Sequence, residues 1–282
     1  MEHSLILLAD SGSTKTDWLL TTENQQPVTR IQTQGINPFM QTDTEIAASL
    51  HTAHEQLVAW NAPTQIYFYG AGCRDEQCQR MREHLQQEWQ ETNLIEVGSD
   101  LLGAAKALFG RGKEATQPSD GIACILGTGS NSGLFLDGAI VHNVSPLGYI
   151  LGDEGSGAVL GRRLLGDLLK HQLPQTLEDD FHAHYELTAQ DILQRVYREP
   201  FANRFLASFA PFLHRHREEA SIRHLLIEEF TRFFLRNIAQ YNRPDLEVSF
   251  VGSIAFYFKE ELTQAAHQTG FHIGCIRRSP LE

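Results

Sequence analysis

Length, composition and charge limit the kinds of protein that this sequence can encode. The chain has 282 residues, of which 41% are hydrophobic and 21% are charged, and its formal net charge is −12. These values are ordinary for a soluble globular protein, and the length allows two domains. Nucleic acids and anionic membranes both bind basic protein surfaces, so the negative charge of the chain argues against either as its partner. It does not exclude a small anionic ligand held by backbone amides.

The sequence also argues against secretion, a membrane span and a metal cluster. Only five apolar residues precede Asp10, too few for a secretory core. No apolar run approaches the ~18 residues of a membrane span. The cysteines lack the second pair or the histidine partners of a zinc site, and they are scattered at Cys73, Cys78, Cys124 and Cys275. We therefore expect a cytoplasmic protein with reduced thiols.

Two segments share one layout: an apolar strand, a turn of small residues and a second strand. The first is Leu5 to Leu20 and the second is Ile122 to Leu136. A third strand follows each pair, and helices then alternate with strands. The repetition predicts an α/β fold of two related domains, residues 1–112 and 113–282, with a cleft between them and a helical insertion in the second.

Hydrophobic periodicity places the individual elements in chain order. The first half is predicted to contain strands Leu5–Ala9, Thr16–Thr21, Pro27–Thr33, Gln65–Tyr69 and Leu94–Val97 and helices Thr44–Trp60, Arg74–Glu91 and Ser99–Phe109. The second half is predicted to contain strands Ile122–Leu126, Glu247–Val251 and Phe271–Cys275, two strands that end at Leu136 and His142, and helices Gly155–His171, Ser221–Tyr241 and Phe256–Thr269.

The first turn begins after Asp10, which closes the first strand. A carboxylate there can hold Mg²⁺ near phosphates, or it can simply hydrogen-bond the turn. Small residues let backbone N–H groups approach a phosphate. The candidate phosphate-binding residues are Gly12, Ser13, Thr14 and Lys15. Their spacing is not that of a Walker A loop, so we do not expect a P-loop fold.

The second turn, Gly127-Thr128-Gly129-Ser130-Asn131, offers a second phosphate contact, with an ordinary hairpin turn as the alternative. Later in the chain, Gly252 and Ser253 end a strand, and a backbone there can lie flat against an adenine. Asp100 stands between a strand and a helix. Two interpretations of Asp100 are equally compatible with the sequence: a helix N-cap, or a catalytic base at the carboxyl end of a strand.

The segment from Gly148 to Gly157 places two carboxylates among four glycines before a helix. Asp153 is a candidate for binding a pair of sugar hydroxyls, and Glu154 for hydrogen-bonding the loop backbone. The alternative is a glycine-rich cap in which acidic residues are favoured by the helix dipole.

Together these motifs resemble those of the sugar kinase, heat-shock chaperone and actin superfamily. The stretches that carry the resemblance are DSGSTKT, GTGSN, the late Gly252-Ser253 and GYILGDEGSGAVLG. Within the superfamily, the chain resembles the BadF/BadG/BcrA/BcrD ATPase family, most closely its N-acetylglucosamine kinase members, from about Leu5 to Pro280. The resemblance implies two ribonuclease-H-like domains of the actin-like ATPase type.

The resemblance also implies roles for single residues. Thr14 and Thr128 would contact ATP phosphates, and Asp100 would be the catalytic aspartate. Asp10, where some relatives have glutamate, would serve Mg²⁺. The candidate sugar-binding residues are Asn37, Ser130, Asn131, Gly148 and Asp153.

The implied activity is ATP-dependent phosphorylation of an amino sugar, first of all N-acetylglucosamine at its 6-hydroxyl. Mammalian-type members have Gly-Trp-Gly where this chain has Pro146-Leu147-Gly148, so the pocket differs. N-acetylmuramic acid and glucosamine stay open as substrates.

Two other functions stay open: an ATPase that activates a partner enzyme, against which the scattered cysteines argue, and a non-catalytic sugar sensor. The helical insertion offers a face for a homodimer.

Overall fold

The computed structural model describes residues 4–12, 14–110 and 119–282, and the chain divides into two compact units. Unit 1 takes the residues up to Ala107 together with Pro280–Glu282, and unit 2 is Leu108–Ser279. The predicted domain boundary after residue 112 falls in 111–118, outside the described residues, so it stays a prediction.

Unit 1 is built on a five-stranded sheet in the order β3-β2-β1-β4-β5. Its strands are β1 Leu5–Ser11, β2 Lys15–Thr22, β3 Pro27–Gln34, β4 Gln65–Gly70 and β5 Leu94–Ser99. The first three strands pair antiparallel, and β1, β4 and β5 run parallel. Three helices complete this part of the chain: α1 Asp43–Leu57, α2 Glu76–Glu88 and α3 Asp100–Phe109.

Unit 2 repeats this topology in a sheet with the order β10-β9-β6-β7-β8. Its strands are β6 Gly121–Leu126, β7 Ser130–Leu136, β8 Ala139–His142, β9 Glu247–Val251 and β10 His272–Arg277. Again three strands pair antiparallel and three run parallel. The matching order confirms the predicted duplication.

The helices of unit 2 lie mostly between β8 and β9, as the predicted helical insertion requires. They are α4 Gly148–Leu151, α5 Gly157–Leu169, α6 Gln175–His184, α7 Ala189–Tyr197, α8 Ala202–Ala207, α9 Ala210–Arg215, α10 Ala220–Arg236, the 3₁₀ helix Ile238–Tyr241, α11 Ser253–Tyr257 and α12 Lys259–Thr269. In the part of the chain that the structure covers, no helix is long and apolar enough to cross a lipid bilayer.

Each unit buries its own hydrophobic core. In unit 1, alternate residues of β1 face inward, with Leu7 fully buried beside the aromatic side chains of Trp18 and Phe68. In unit 2, Phe230 and Phe233 of α10 belong to a cluster that includes residues of the central strands. The strands that carry the candidate residues are therefore rigidly supported.

Two predicted helices are interrupted in the structure. The helix predicted from Ser221 to Tyr241 ends at Arg236 and continues as the 3₁₀ helix after Asn237. The helix predicted from Phe256 begins three residues earlier, at Ser253, and breaks at Phe258. At the break, Phe258 is 1% exposed and belongs to the hydrophobic core of unit 2.

Candidate functional site

Three parallel strands of unit 1 end level with one another at one edge of the sheet. Ser11 of β1 pairs with Gly70 of β4, which pairs with Ser99 of β5. Asp10 precedes the first of these ends and Asp100 follows the last. The carboxyl edge of a parallel sheet is where α/β proteins bind ligands. The structure therefore places both candidate aspartates where a ligand is expected.

Asp10 is a partly buried carboxylate in a negative environment. Burial and the negative charges of Asp100 and Asp17 raise the pKa of Asp10 to about 7, although Lys15 acts in the opposite direction. The ammonium group of Lys15 lies 2.8 Å from a carboxylate oxygen of Asp17. A site with this excess of negative charge is stabilised by a bound cation.

Asp100 is the first residue of α3. Its Oδ1 accepts a hydrogen bond from the backbone N–H of Leu101 at 2.8 Å. Burial raises the pKa of Asp100, whereas the N–H of Leu101 and the charge of Arg74 lower it. Ser99 occupies the N-cap position, since its Oγ accepts the N–H of Leu102 at 3.2 Å, while the carboxylate of Asp100 also accepts a helix N–H as the capping interpretation predicts.

A buried hydroxyl pair that the sequence analysis missed lies beneath the first turn. Ser11 Oγ lies 2.7 Å from Thr16 Oγ1, and both residues are fully buried. Ser11 Oγ also donates to the carbonyl of Ile36 and accepts its N–H, both at 2.9 Å. Because Asn37 follows Ile36, this hydroxyl fixes the loop of Asn37 against the end of β1.

Asn37 is oriented by contacts within unit 1. Its Oδ1 accepts the N–H of Phe39 at 3.0 Å, and its own N–H donates to Gln41 Oε1 at 2.7 Å. A Cβ at Gly72 would lie only 2.1 Å from Asn37 Oδ1. Asn37 therefore packs closely against the turn after β4. Its predicted sugar-binding role stays a prediction.

The second turn, between β6 and β7, is held by the start of α5. The N–H of Gly127 donates to the carbonyl of Gly129 at 2.9 Å. The carbonyls of Gly127 and Thr128 accept the N–H groups of Gly157 and Ala158, at 2.8 and 3.1 Å. The first amides of α5 thus bind the turn itself, which fixes its conformation.

The glycines of the two turns differ from Gly252 in the space that a side chain would have at each position. Among the described residues, a Cβ at Gly127 would meet no atom within 4 Å, and one at Gly12 would meet only the carbonyl oxygen of Lys15, at 3.8 Å. Gly252 has φ +120°, and a Cβ there would lie 2.2 Å from the carbonyl oxygen of Leu126. Packing therefore explains glycine at 252, whereas at 12 and 127 a ligand that approaches the backbone would explain it.

The carboxylate of Asp153 lies beside the second turn. The backbone N–H of Ser130 lowers the pKa of this carboxylate, but burial dominates and raises that pKa to about 6. One carboxylate oxygen is 3.2 Å from the position of a Cβ at Gly129. The N–H of Asp153 donates to the carbonyl of Pro146 at 2.8 Å. The structure therefore brings Ser130 and Asp153 together.

Asn131 and Gly148 belong to neighbouring parts of unit 2. Asn131 Oδ1 accepts hydrogen bonds from Ser132 N–H and from Asn143 Nδ2, both at 2.9 Å. Gly148 opens α4 with φ +74°. Glu154 does not serve the loop backbone as predicted. Its buried carboxylate is bound by the side chains of Arg236 and Asn237.

The remaining candidates lie near these turns. Thr14 accepts the N–H of Gly35 through its carbonyl at 3.2 Å. Ser253 begins α11 and is exposed. Ser13 lies outside the described residues. Among the residues that the structure covers, no group of three His, Cys, Asp or Glu side chains could hold a metal ion.

Similarity to solved structures extends over nearly the whole chain. A putative N-acetylglucosamine kinase from Porphyromonas gingivalis shares 47% sequence identity, with 98% of this chain and 95% of that chain covered and a TM-score of 0.93. The chain belongs to the N-acetylglucosamine kinase-like sugar kinases. The duplicated topology of this sugar kinase is the predicted actin-like ATPase fold.

More distant structures share the fold of this sugar kinase. A putative N-acetylglucosamine kinase from Chromobacterium violaceum is 18% identical, with 99% and 96% of the two chains covered and a TM-score of 0.70. A ROK family glucokinase from Streptomyces griseus, in complex with glucose and AMPPNP, is 11% identical, with 97% and 93% covered and a TM-score of 0.60. No protein-family model and no curated protein matches the chain.

Proposed function

We propose that this sugar kinase uses ATP to phosphorylate an amino sugar, first of all N-acetylglucosamine at its 6-hydroxyl. N-acetylmuramic acid and glucosamine are the alternative acceptors. The relative that is 47% identical supports the class of reaction. The observation that carries the proposal for this chain is the carboxylate pair Asp10 and Asp100 at the carboxyl edge of the unit 1 sheet.

Mg²⁺ is the cofactor that this pair would accept. Magnesium usually keeps several waters and binds one or two carboxylates together with substrate phosphates, so it does not need a cluster of three protein ligands. Asp10 supplies a carboxylate whose pKa is raised to about 7 by burial and neighbouring negative charge, which a cation would offset. When bound, Mg²⁺ neutralises charge on the phosphates.

Asp100 is assigned the role of general base. It would accept the proton of the sugar hydroxyl while the sugar oxygen forms its bond to the γ-phosphorus and the bond from that phosphorus to the ADP oxygen breaks. The raised pKa of Asp100 suits a group that takes up a proton. Proton transfer of this kind contributes about 10²–10⁴-fold in rate, and positioning and charge neutralisation supply most of the rest.

Phosphate and sugar contacts are assigned to the turns of each unit. The first turn, with Gly12, Thr14 and Lys15, and the second, with Gly127, Thr128 and Gly129, would hold the phosphates through backbone N–H groups and hydroxyls. The adenosine contact is assigned to Gly252 and Ser253. The sugar contacts are assigned to Asn37 in unit 1 and to Ser130, Asn131, Gly148 and Asp153 in unit 2.

The test is product analysis with an Asp100→Asn variant. Phosphorus NMR of the reaction with Mg²⁺-ATP and N-acetylglucosamine would identify the phosphorylated hydroxyl. We expect the 6-phosphate, and a loss of turnover of about 10²–10⁴-fold in Asp100→Asn. Asp43→Asn is the matched control, because Asp43 is also the first residue of a helix, and it should keep full activity. Full sugar-dependent turnover by Asp100→Asn would remove Asp100 from this role.

The cytoplasmic location and the homodimer stay predictions. Sedimentation of the purified protein would test the second.

A further inference from the structure

The C-terminal end of α10 holds a buried carboxylate next to the candidate sugar ligand Asp153. Glu154 is 6% exposed. Its Oε1 accepts a charged hydrogen bond from Arg236 Nε, and its Oε2 accepts Asn237 Nδ2 at 3.2 Å. The side chain of Arg236 is 55% exposed, so the pair lies where the interior meets the surface. Both oxygens of Glu154 are thus bound from one short segment.

The same segment also reaches the second turn. Four residues after Asn237, the hydroxyl of Tyr241 lies 2.8 Å from Ser132 Oγ and accepts the N–H of Val144 at 3.1 Å. Ser132 directly follows Asn131, and Val144 lies in the loop that leads to Gly148. The break in the helix after Arg236 is therefore the place from which two candidate sugar-binding elements are held.

The backbone around Asp153 requires such support. Asp153 has φ +51° and Gly155 has φ +72°, both in the left-handed region. A Cβ at Gly152 would lie 2.1 Å from the carbonyl oxygen of Pro146. A non-glycine residue keeps a left-handed conformation only where its surroundings impose it. Glu154, the next residue, is fixed by Arg236 and Asn237, so its bonds limit how Asp153 can move.

We propose that Glu154, held by Arg236 and Asn237, is a positioning residue that sets the place of the Asp153 carboxylate beside Ser130. It does not touch the sugar, and it acts through Asp153. The part of the proposal that concerns sugar affinity rests on the proposed kinase function, whereas the part that concerns the loop does not. An ion pair between a buried carboxylate and a half-exposed guanidinium adds little net stability but can impose one conformation, which is the role assigned here.

Steady-state kinetics with N-acetylglucosamine test the effect on the sugar. Glu154→Gln and Arg236→Met should each raise the sugar KM about tenfold or more, because a charged hydrogen bond is lost. The KM for ATP should stay within about twofold. The double variant should be little worse than either single one, because both remove the same interaction. The control is Glu261→Gln, which removes a fully buried carboxylate of α12 that pairs with Arg217 at 3.0 Å.

Backbone hydrogen exchange of residues 147–156 provides a readout that does not depend on turnover. We expect faster exchange of this segment in Glu154→Gln and Arg236→Met and no change in Glu261→Gln. Unchanged exchange in Glu154→Gln, or an equal rise of the sugar KM in Glu261→Gln, would overturn the proposal. A wild-type protein without sugar-dependent turnover would contradict the kinase function instead, and the exchange data would still decide whether Glu154 holds the loop.

Discussion

The carboxylate of Asp153 lies beside Ser130, whose backbone N–H lowers its pKa, so a residue of the glycine-rich loop faces the turn between β6 and β7. The two residues are 23 positions apart in the sequence. Their contact means that a change in the ionisation of Asp153 acts directly on the second turn.

Sugar binding should weaken as Asp153 takes up a proton. Burial raises the pKa of Asp153 to about 6, so its charged form dominates above that pH and is lost below it. We expect kcat/KM for the sugar to fall as the pH drops below about 6. Asp153→Asn should lower kcat/KM by about 10–100-fold at pH 8, the size expected for a hydrogen bond to a charged group. It should also remove this part of the pH profile. A profile that Asp153→Asn leaves unchanged would contradict the assignment.

The glycines of the turns allow folding and binding to be separated. Gly127→Ala should leave the melting temperature unchanged, because in the part of the chain that the structure describes a methyl group there meets no atom within 4 Å. It should raise the KM for ATP, since the methyl group would keep a phosphate from the backbone. Gly252→Ala should instead destabilise the protein, because its Cβ would collide with the carbonyl of Leu126. If Gly127→Ala binds ATP normally, then the second turn does not approach a phosphate.

Asp10 should reduce stability at neutral and basic pH in the absence of metal. Its pKa is raised from 3.8 to about 7, so the folded state favours the protonated form. Protonation of Asp10 therefore stabilises the folded state relative to its ionised form. This contribution is fully present below about pH 4 and is lost as the pH rises through 7. Asp10→Asn, which cannot ionise, should gain on the order of 2 kcal/mol over the wild type at pH 8 and little at pH 4.

Thermal unfolding in a chelating buffer checks this prediction about Asp10. Asp43→Asn is the control, and its effect on stability at pH 8 should be opposite, a loss. Hydrogen bonds from His84 and Arg80 lower the pKa of Asp43, so its charged form stabilises the folded state. An equal effect of Asp10→Asn at both pH values would show that its charge is not the cause.

The buried hydroxyl of Ser11 should matter for both stability and the loop of Asn37. Ser11→Ala removes the hydroxyl that bonds both the N–H and the carbonyl of buried Ile36, while Thr16 Oγ1 keeps its bond to the carbonyl of Gln34. We expect a loss of about 1–3 kcal/mol in unfolding free energy, the cost of unsatisfied buried groups. Ser49→Ala, which removes an exposed hydroxyl bonded to the carbonyl of Glu45, should cost much less. Urea titration of both variants would compare them directly.

The sequence was informative wherever the signal is local. The strand Glu247–Val251 was predicted with its observed bounds, and the duplicated layout is seen in the order of the two sheets. Asp10 and Asp100 were placed correctly at strand ends because a buried strand that stops at a polar residue can be read from periodicity. The actin-like fold was likewise predictable, from the motifs that carry the resemblance.

What the sequence could not show depends on distant contacts. The break after Arg236 lies within an unbroken helical pattern, and its residues bind Glu154, more than 80 positions earlier. Ser11 stands in a run of small residues that predicts a phosphate turn, so its buried role was hidden. Similarly, Tyr241 appeared only as one apolar position of a helix, although its hydroxyl bonds to Ser132.

The central claim is sugar-dependent phosphoryl transfer, and ADP production tests it most directly. The measurement compares Mg²⁺-ATP alone with N-acetylglucosamine, N-acetylmuramic acid, N-acetylmannosamine, glucosamine and glucose. We predict strong stimulation by one amino sugar, first of all N-acetylglucosamine, and its loss in Asp100→Asn. ADP release that no sugar changes would contradict the kinase function and favour an ATPase, and binding of a sugar without any turnover would favour a sensor.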